Sequence, residues 1–131
     1  MPLPVLEFVH AFRAGSAGRL ESLLDEDVLY DVPGLDPVLG RRSVVAYWKR
    51  MFEVYGAVGL GFERYVRDGD VMLAAQRQIY QRGRADPLQL DSLVVLHLVD
   101  ERIRFWRDAL PVTDINSDDL ALWIRLRRAR W

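Results

Sequence analysis

Apolar residues near the start of the chain recur at helical spacing. Val5, Phe8, Val9 and Phe12 fall on one face, and Gly15 offers a stop after Ala14, so the pattern predicts a helix over residues 3 to 14. Ser16 can cap a shorter helix whose apolar stripe is Leu20, Leu23 and Leu24, followed by the acidic run Asp25-Glu26-Asp27. Val28 to Val32 then reads as a short strand, stopped by Pro33-Gly34 and by a loop from Pro37 to Gly40. From Ser43 the set Val44, Tyr47, Trp48, Met51, Phe52 and Tyr55 follows the i, i+3, i+4, i+7, i+8, i+11 rule, which predicts a helix ending near Gly56.

Beyond Gly56 the period changes from helical to alternating. Strands are expected near 58 to 67, 71 to 81, 88 to 99 and 102 to 110, joined by tight turns at Asp68-Gly69-Asp70 and Asp100-Glu101 and by a longer one at residues 82 to 87. Such short connections imply an antiparallel meander. Asn116 or Ser117 caps a last helix, with Asp118 and Asp119 in its first turn and Arg125, Arg127, Arg128 and Arg130 toward its end. The order of elements predicts a single α+β domain over residues 1 to 131, a curved, mostly antiparallel sheet packed by helices on one side.

Composition narrows the functions open to such a domain. Eighteen Lys and Arg against nineteen Asp and Glu give a net charge of −1, so no global field draws in nucleic acid or an anionic membrane. The chain has no cysteine, which removes disulfides, thiolate metal sites and a cysteine nucleophile together and suits a reducing cytosol. The N-terminus lacks the pattern of a targeting signal, no apolar run approaches membrane-spanning length, and a soluble cytoplasmic protein is expected. With only His10 and His97 no metal-ligand cluster is visible, and the glycines form no phosphate loop, so neither metal nor cofactor is expected.

Candidate chemistry comes from charge on otherwise apolar strand faces. Val71, Leu73, Ala75, Arg77 and Ile79 alternate onto one face, so Arg77 points where aliphatics point and needs an acidic partner unless it lies at the rim and reaches water. On the last strand Trp106 and Asp108 face the same way, opposite Phe105 and Arg107. A carboxyl desolvated beside tryptophan has its pKa raised, as a general acid or base requires, although a strand-end aspartate can also be held by turn amides. Asp31 ends the first strand before Val32-Pro33-Gly34, where it can cap the turn or join the same site.

The segment Tyr30-Asp31-Val32-Pro33-Gly34-Leu35-Asp36-Pro37-Val38-Leu39-Gly40-Arg41, together with Phe105-Trp106-Arg107-Asp108, resembles the SnoaL-like branch of the nuclear-transport-factor-2-like superfamily over nearly the whole chain. The resemblance implies a cone-shaped fold around an apolar pocket, a homodimer formed through the sheet, and activities such as epoxide hydrolysis, epoxide-opening cyclisation, ketosteroid isomerisation or polyketide cyclisation. Many relatives only bind ligands. Limonene-epoxide hydrolases pair an Arg-x-Asp on a middle strand with a Trp-Arg-Asp on the last. Here Arg77 and Trp106-Arg107-Asp108 match, while Ile79 stands in the middle aspartate's place and Leu29 and Asp31 in those of a water-holding Tyr and Asn. The isomerase pattern is similar at Asp31 but has Phe8 and Val94 where oxyanion donors are implied.

The resulting expectation is an acid-base site of Asp31, Arg77 and Asp108, with Arg77 pairing one aspartate, opening onto a pocket lined by Tyr30, Trp48, Phe52, Ile79, Val94 and Trp106. Its substrate would be a small apolar molecule, an epoxide first among them. A noncatalytic binder of small hydrophobic ligands would use the same pocket.

Overall fold

A computed structural model describes residues 3 to 129. Arg130 and Trp131 of the basic tail, and Met1 and Pro2, lie outside the described residues. Helix α1 spans Leu3–Ala14 and α2 spans Ala17–Glu21, with the Ser16 hydroxyl accepting from the Arg19 amide at 3.3 Å as its cap. Strands β1 (Leu24–Asp31) and β2 (Val38–Leu39) follow, then α3 (Arg41–Val54), β3 (Ala57–Asp68), β4 (Val71–Gln81), β5 (Leu88–Val99) and β6 (Arg102–Ala109). A 3-10 turn at Val112–Asp114 leads to α4 (Ser117–Arg128), whose cap Asn116 accepts from the Asp119 amide at 2.9 Å.

The six strands form one open, curved sheet in the order β2-β1-β6-β5-β4-β3. β3 to β6 make the expected meander, and β1 joins β6 in parallel, placing Tyr30 opposite Trp106 and Asp31 opposite Arg107. The β5–β6 hairpin turns on Asp100 and Glu101, both with positive φ (49° and 61°), the backbone that a two-residue turn between right-twisted strands requires.

Two segments depart from the sequence reading. β1 begins at Leu24, so the acidic run Asp25-Glu26-Asp27 is strand. Leu24 pairs with Ile103, and the register shifts between Leu24 and Leu29, which accommodates the half-buried Asp25 and the exposed Glu26 and Asp27 between the buried Leu24 and Val28. Val38 and Leu39, read as loop, form a two-residue strand against Tyr30 and Leu29, too short to leave a periodic signal.

Burial decides which sheet face is inside. Met72, Ala74, Gln76, Gln78 and Tyr80 of β4 are buried, with Leu90, Val94, Leu96 and Leu98 of β5 and Ile103, Trp106 and Asp108 of β6. The helices cover this face. Phe8 and Phe12 of α1 meet Trp106 edge-on at 4.8 and 5.7 Å, and Trp48 of α3 stacks over Trp106 at 5.7 Å, interplanar angle 11°. Ile103 shares the inner face with Trp106 although three positions separate them, because the β5–β6 register shifts between His97 and Leu98.

Helix α4 closes the remaining side. The Tyr55 hydroxyl donates to Asp119 at 2.5 Å and accepts from the Trp123 indole at 2.7 Å, and Asn116 donates to the same carboxylate at 2.5 Å. Leu122, Trp123, Leu126 and Arg127 are the buried stripe of this helix. No described helix is long and apolar enough to cross a membrane.

Candidate functional site

The inner sheet face is apolar except where β4 and β6 bring three polar side chains together. Asp108 is fully buried. Its carboxylate accepts from the Gln76 amide, from Gln78 Nε2 at 3.2 Å and from the Tyr30 hydroxyl at 3.3 Å. Gln76 Nε2 also donates to Ser92 Oγ at 3.1 Å, and the Tyr80 hydroxyl donates to Gln78 Oε1 at 2.5 Å. An amide whose oxygen is taken must turn its NH₂ the other way, so Tyr80 aims Gln78 at Asp108. Tyr30 lies flat on Trp106 with ring centroids 3.9 Å apart, which fixes the direction of its hydroxyl.

A cation arrives from α4. The Arg127 guanidinium lies over the rings of Tyr30 and Tyr47, at 4.3 and 4.5 Å from their centroids, and donates to the Asp36 carbonyl at 3.2 Å. It is 5% exposed. Burial works against its charge, but Tyr30 and Tyr47 beside it, and Asp108 behind them, keep it protonated.

These surroundings set the Asp108 proton. Burial pushes its pKa from 3.8 up to about 6, and the amides of Gln78 and Gln76 and the charge of Arg127 pull the other way without overcoming it. Burial also raises Tyr30, Tyr47 and Tyr80, so all three phenols keep their protons at physiological pH. The site therefore offers one carboxyl able to give or take a proton near neutrality, three oriented phenols and one fixed cation.

The predicted triad does not assemble. Arg77 lies on the outer face, half exposed, and its Nε binds Asp91 at 2.9 Å with Glu63 at 3.9 Å from a terminal nitrogen. Its position opposite Asp91 and Gly61 makes it part of a surface ion group. The alternation of β4 was right but its phase was inverted, since Val71, Leu73 and Ile79 are the exposed set. The inward places two apart on this strand, where an Arg-x-Asp pair must stand to reach the interior, hold Gln76 and Gln78. Ile79 is likewise outside rather than a wall of the interior. Asp31 follows the inward Tyr30 and so faces away from Asp108, accepting from Arg107 Nε at 2.9 Å. Among the other named residues, Tyr30, Trp48, Val94 and Trp106 are buried on the inner face and Phe52 is half-buried against Phe12 and Trp48. His97 stacks on Phe105, and no group of ligands suited to a metal ion occurs among the described residues.

Two features of the site were missed. Gln76 and Gln78 were recoverable by carrying the inward side of Asp108 across two hairpins: Asp108 pairs with Val94 and Val94 with Ala74, which makes the even positions of β4 inward. Arg127 belongs to a run of arginines that helix-dipole and solubility arguments explain equally well, and only the spacing of Leu122, Trp123 and Leu126 points to its burial.

This frame, a curved sheet closed by helices, is matched by known proteins. The model of the SnoaL-like domain matches residues 5–106, and the chain belongs to that family. An LEH-like epoxide hydrolase from M. tuberculosis has a similar structure with TM-score 0.80 at 22% identity, covering 95% of this chain and 91% of that one. A protein with a ketosteroid isomerase-like fold from Catenulispora acidiphila, solved with trimethylamine, aligns with TM-score 0.75 and 18% identity over 82% of this chain and 85% of its own. A SnoaL-like polyketide cyclase from Jannaschia aligns with TM-score 0.70 and 13% identity over 97% and 91%. At these identities the likeness carries the fold. No curated protein matches the sequence.

The raised Asp108 pKa has a consequence for stability. Between 3.8 and about 6 the native state holds a proton that the unfolded chain has released, so this group's contribution falls as pH rises through that window and is flat above it. The expected loss is about 3 kcal/mol for a shift of about 2 units. Urea unfolding of the parent chain and of Asp108→Asn at pH 4.5, 6 and 7.5 should show a stability difference that moves toward the variant by about 2 kcal/mol with rising pH, the part of the loss that falls above pH 4.5. A difference independent of pH would refute the buried, proton-sharing carboxyl.

Proposed function

We propose that the interior is a small-molecule site in which Asp108 performs acid-base chemistry on an apolar substrate, with epoxide opening as the favoured reaction. The observation that supports this most is a fully buried carboxyl with a pKa near 6, held by three donors against a stack of aromatic rings. In hydrolysis Asp108 takes a proton from water as the water oxygen bonds to an epoxide carbon. The ring C–O bond breaks, the alkoxide takes up a proton, and Asp108 releases its own to solvent, giving a diol. Gln76, Gln78 and Tyr30 act as positioning residues that hold the carboxylate still, while Trp48, Trp106 and Phe52 supply apolar walls for the substrate. The structural likeness to an epoxide hydrolase supports this choice over isomerisation or cyclisation.

The second reading is a noncatalytic binder of small hydrophobic ligands. It is favoured by the loss of the other two members of the expected triad, since Asp31 and Arg77 are bound to Arg107 and Asp91. A panel of terpene and aryl epoxides separates the two. On the catalytic reading at least one is turned over, kcat/KM falls as pH drops below about 6, and Asp108→Asn loses roughly 10²- to 10⁴-fold. If none is turned over while apolar ligands raise the melting temperature, the binding reading replaces it.

The outer sheet face supports a homodimer. Val66, Leu73 and Leu93 are exposed there around an apolar hollow of about 580 Å³ also lined by Tyr65, Ala74 and Ala75, and the Arg77, Asp91 and Glu63 group lies beside it. Sedimentation at micromolar concentration is expected to give a dimer that Leu73→Glu with Leu93→Glu converts to folded monomer. A monomeric parent chain would reject this assembly.

A further inference from the structure

Three buried side-chain nitrogens have no hydrogen-bond partner among the described residues: Trp48 Nε1, Trp106 Nε1 and Arg127 Nε. Each is a donor. All three belong to side chains gathered around Tyr30, whose ring lies 3.9 Å from that of Trp106, 5.8 Å from that of Trp48 and 4.3 Å below the Arg127 guanidinium. A buried donor without an acceptor forfeits its hydration with nothing in return, and native proteins carry few of them. The Trp106 indole lies on the other face of Tyr30 from Arg127 and is turned toward Asp108, so the donor left to meet an outside acceptor on the α4 side of the ring is Arg127 Nε, with no unpartnered acceptor among the described residues to match it.

The charge narrows the choice of acceptor. Arg127 is 5% exposed, yet no Asp or Glu of the described residues lies within ion-pairing distance of it. The two tyrosine faces offset only part of the cost of desolvating a guanidinium. Two polar contacts, the Asp36 carbonyl and the Tyr47 hydroxyl, serve a group with five N–H donors, and its Nε is left without a partner among the described residues. Asp108 lies at the hydroxyl edge of the Tyr30 ring, outside ion-pairing distance of Arg127, and its oxygens are already engaged by Gln76 and Gln78. A carboxylate brought against Arg127 would replace compensation at a distance with a direct, planar pair, the geometry a guanidinium favours.

We propose that Arg127 is a specificity-determining residue that receives the anionic head of the ligand, so that the site selects apolar molecules carrying one carboxylate over neutral molecules of the same shape. This rests on the reading of the interior as a small-molecule site but not on any reaction there. The Trp48 and Trp106 ring faces hold the apolar body.

Decanoate and decan-1-ol, which share a chain and differ in the head, are suitable probes for titration of the full chain by calorimetry. The parent chain is expected to bind decanoate at least about tenfold more tightly. Arg127→Met should bring the two within about threefold of each other by weakening decanoate alone, and Arg127→Lys, which keeps the charge without the planar fork, should retain part of the preference. Because Arg127→Met removes a buried anchor of α4, the parent chain supplies an independent readout: the ¹⁵N-detected Nε–H resonance of Arg127 should shift on adding decanoate and stay in place with decan-1-ol. Equal affinities in the parent chain, a preference that survives in a folded Arg127→Met, an unmoved Nε–H resonance, or no binding of either probe would each overturn the inference. Absence of turnover on epoxides would defeat the catalytic reading and leave these binding results as they are.

Discussion

A carboxylate removed from water must find donors, and donors for a buried carboxylate must be brought by rigid elements. Asp108 is met from two strands, by Gln76 and Gln78 on β4 and by Tyr30 on β1. Charge-assisted hydrogen bonds contribute about 1.5–3 kcal/mol each, comparable in sum to the several kcal/mol that burying the charge costs. The outcome is a balance that burial wins narrowly, leaving the pKa near 6 instead of 3.8. Had the interior supplied a guanidinium in direct contact, the carboxyl would be a fixed anion. Had it supplied no amides, it would be a permanent acid. Two glutamines and a phenol hold it between those limits.

Much of the packing serves this balance. Tyr80 occupies the oxygen of Gln78, Ser92 takes the second proton of Gln76, and Trp106 supports the Tyr30 ring, so each donor has a neighbour that fixes its direction. α4 then excludes solvent. Its first turn is tied to Tyr55 through Asp119 and Trp123, and its last turn lays Arg127 across Tyr30 and Tyr47. The same helix thus provides both the low dielectric that raises Asp108 and the distant positive charge that limits the rise.

The helices were legible because each has one apolar stripe, and the meander because short polar turns separate its strands. β6 was read in the correct orientation at Trp106 and Asp108, whereas on β1 both Tyr30 and its neighbour Asp31 were placed in the site although alternation lets only Tyr30 face it. β4 was read in the opposite phase, and the reason is physical. Its outer residues Val71, Leu73 and Ile79 are as apolar as a core face, while its inner face carries two amides, so local alternation points the wrong way. Hydropathy cannot tell an apolar outer face from the interior. The charge network expected between Asp31, Arg77 and Asp108 failed for the same reason: a phase error of one residue carries a side chain through the sheet. Long-range information, the pairing of Asp108 with Val94 and of Val94 with Ala74, is what corrects it.

Direct titration of the Asp108 side chain tests the account at its centre. With ¹³C-labelled aspartate, the carboxyl resonance that disappears in Asp108→Asn can be followed with pH by NMR. The packing of Gln76, Gln78, Tyr30 and Arg127 around a desolvated carboxyl predicts a midpoint near 6. A midpoint at the ordinary value of 3.8 would contradict it, because it would mean that water or a direct cation, rather than two amides and a phenol in a closed interior, surrounds the carboxylate.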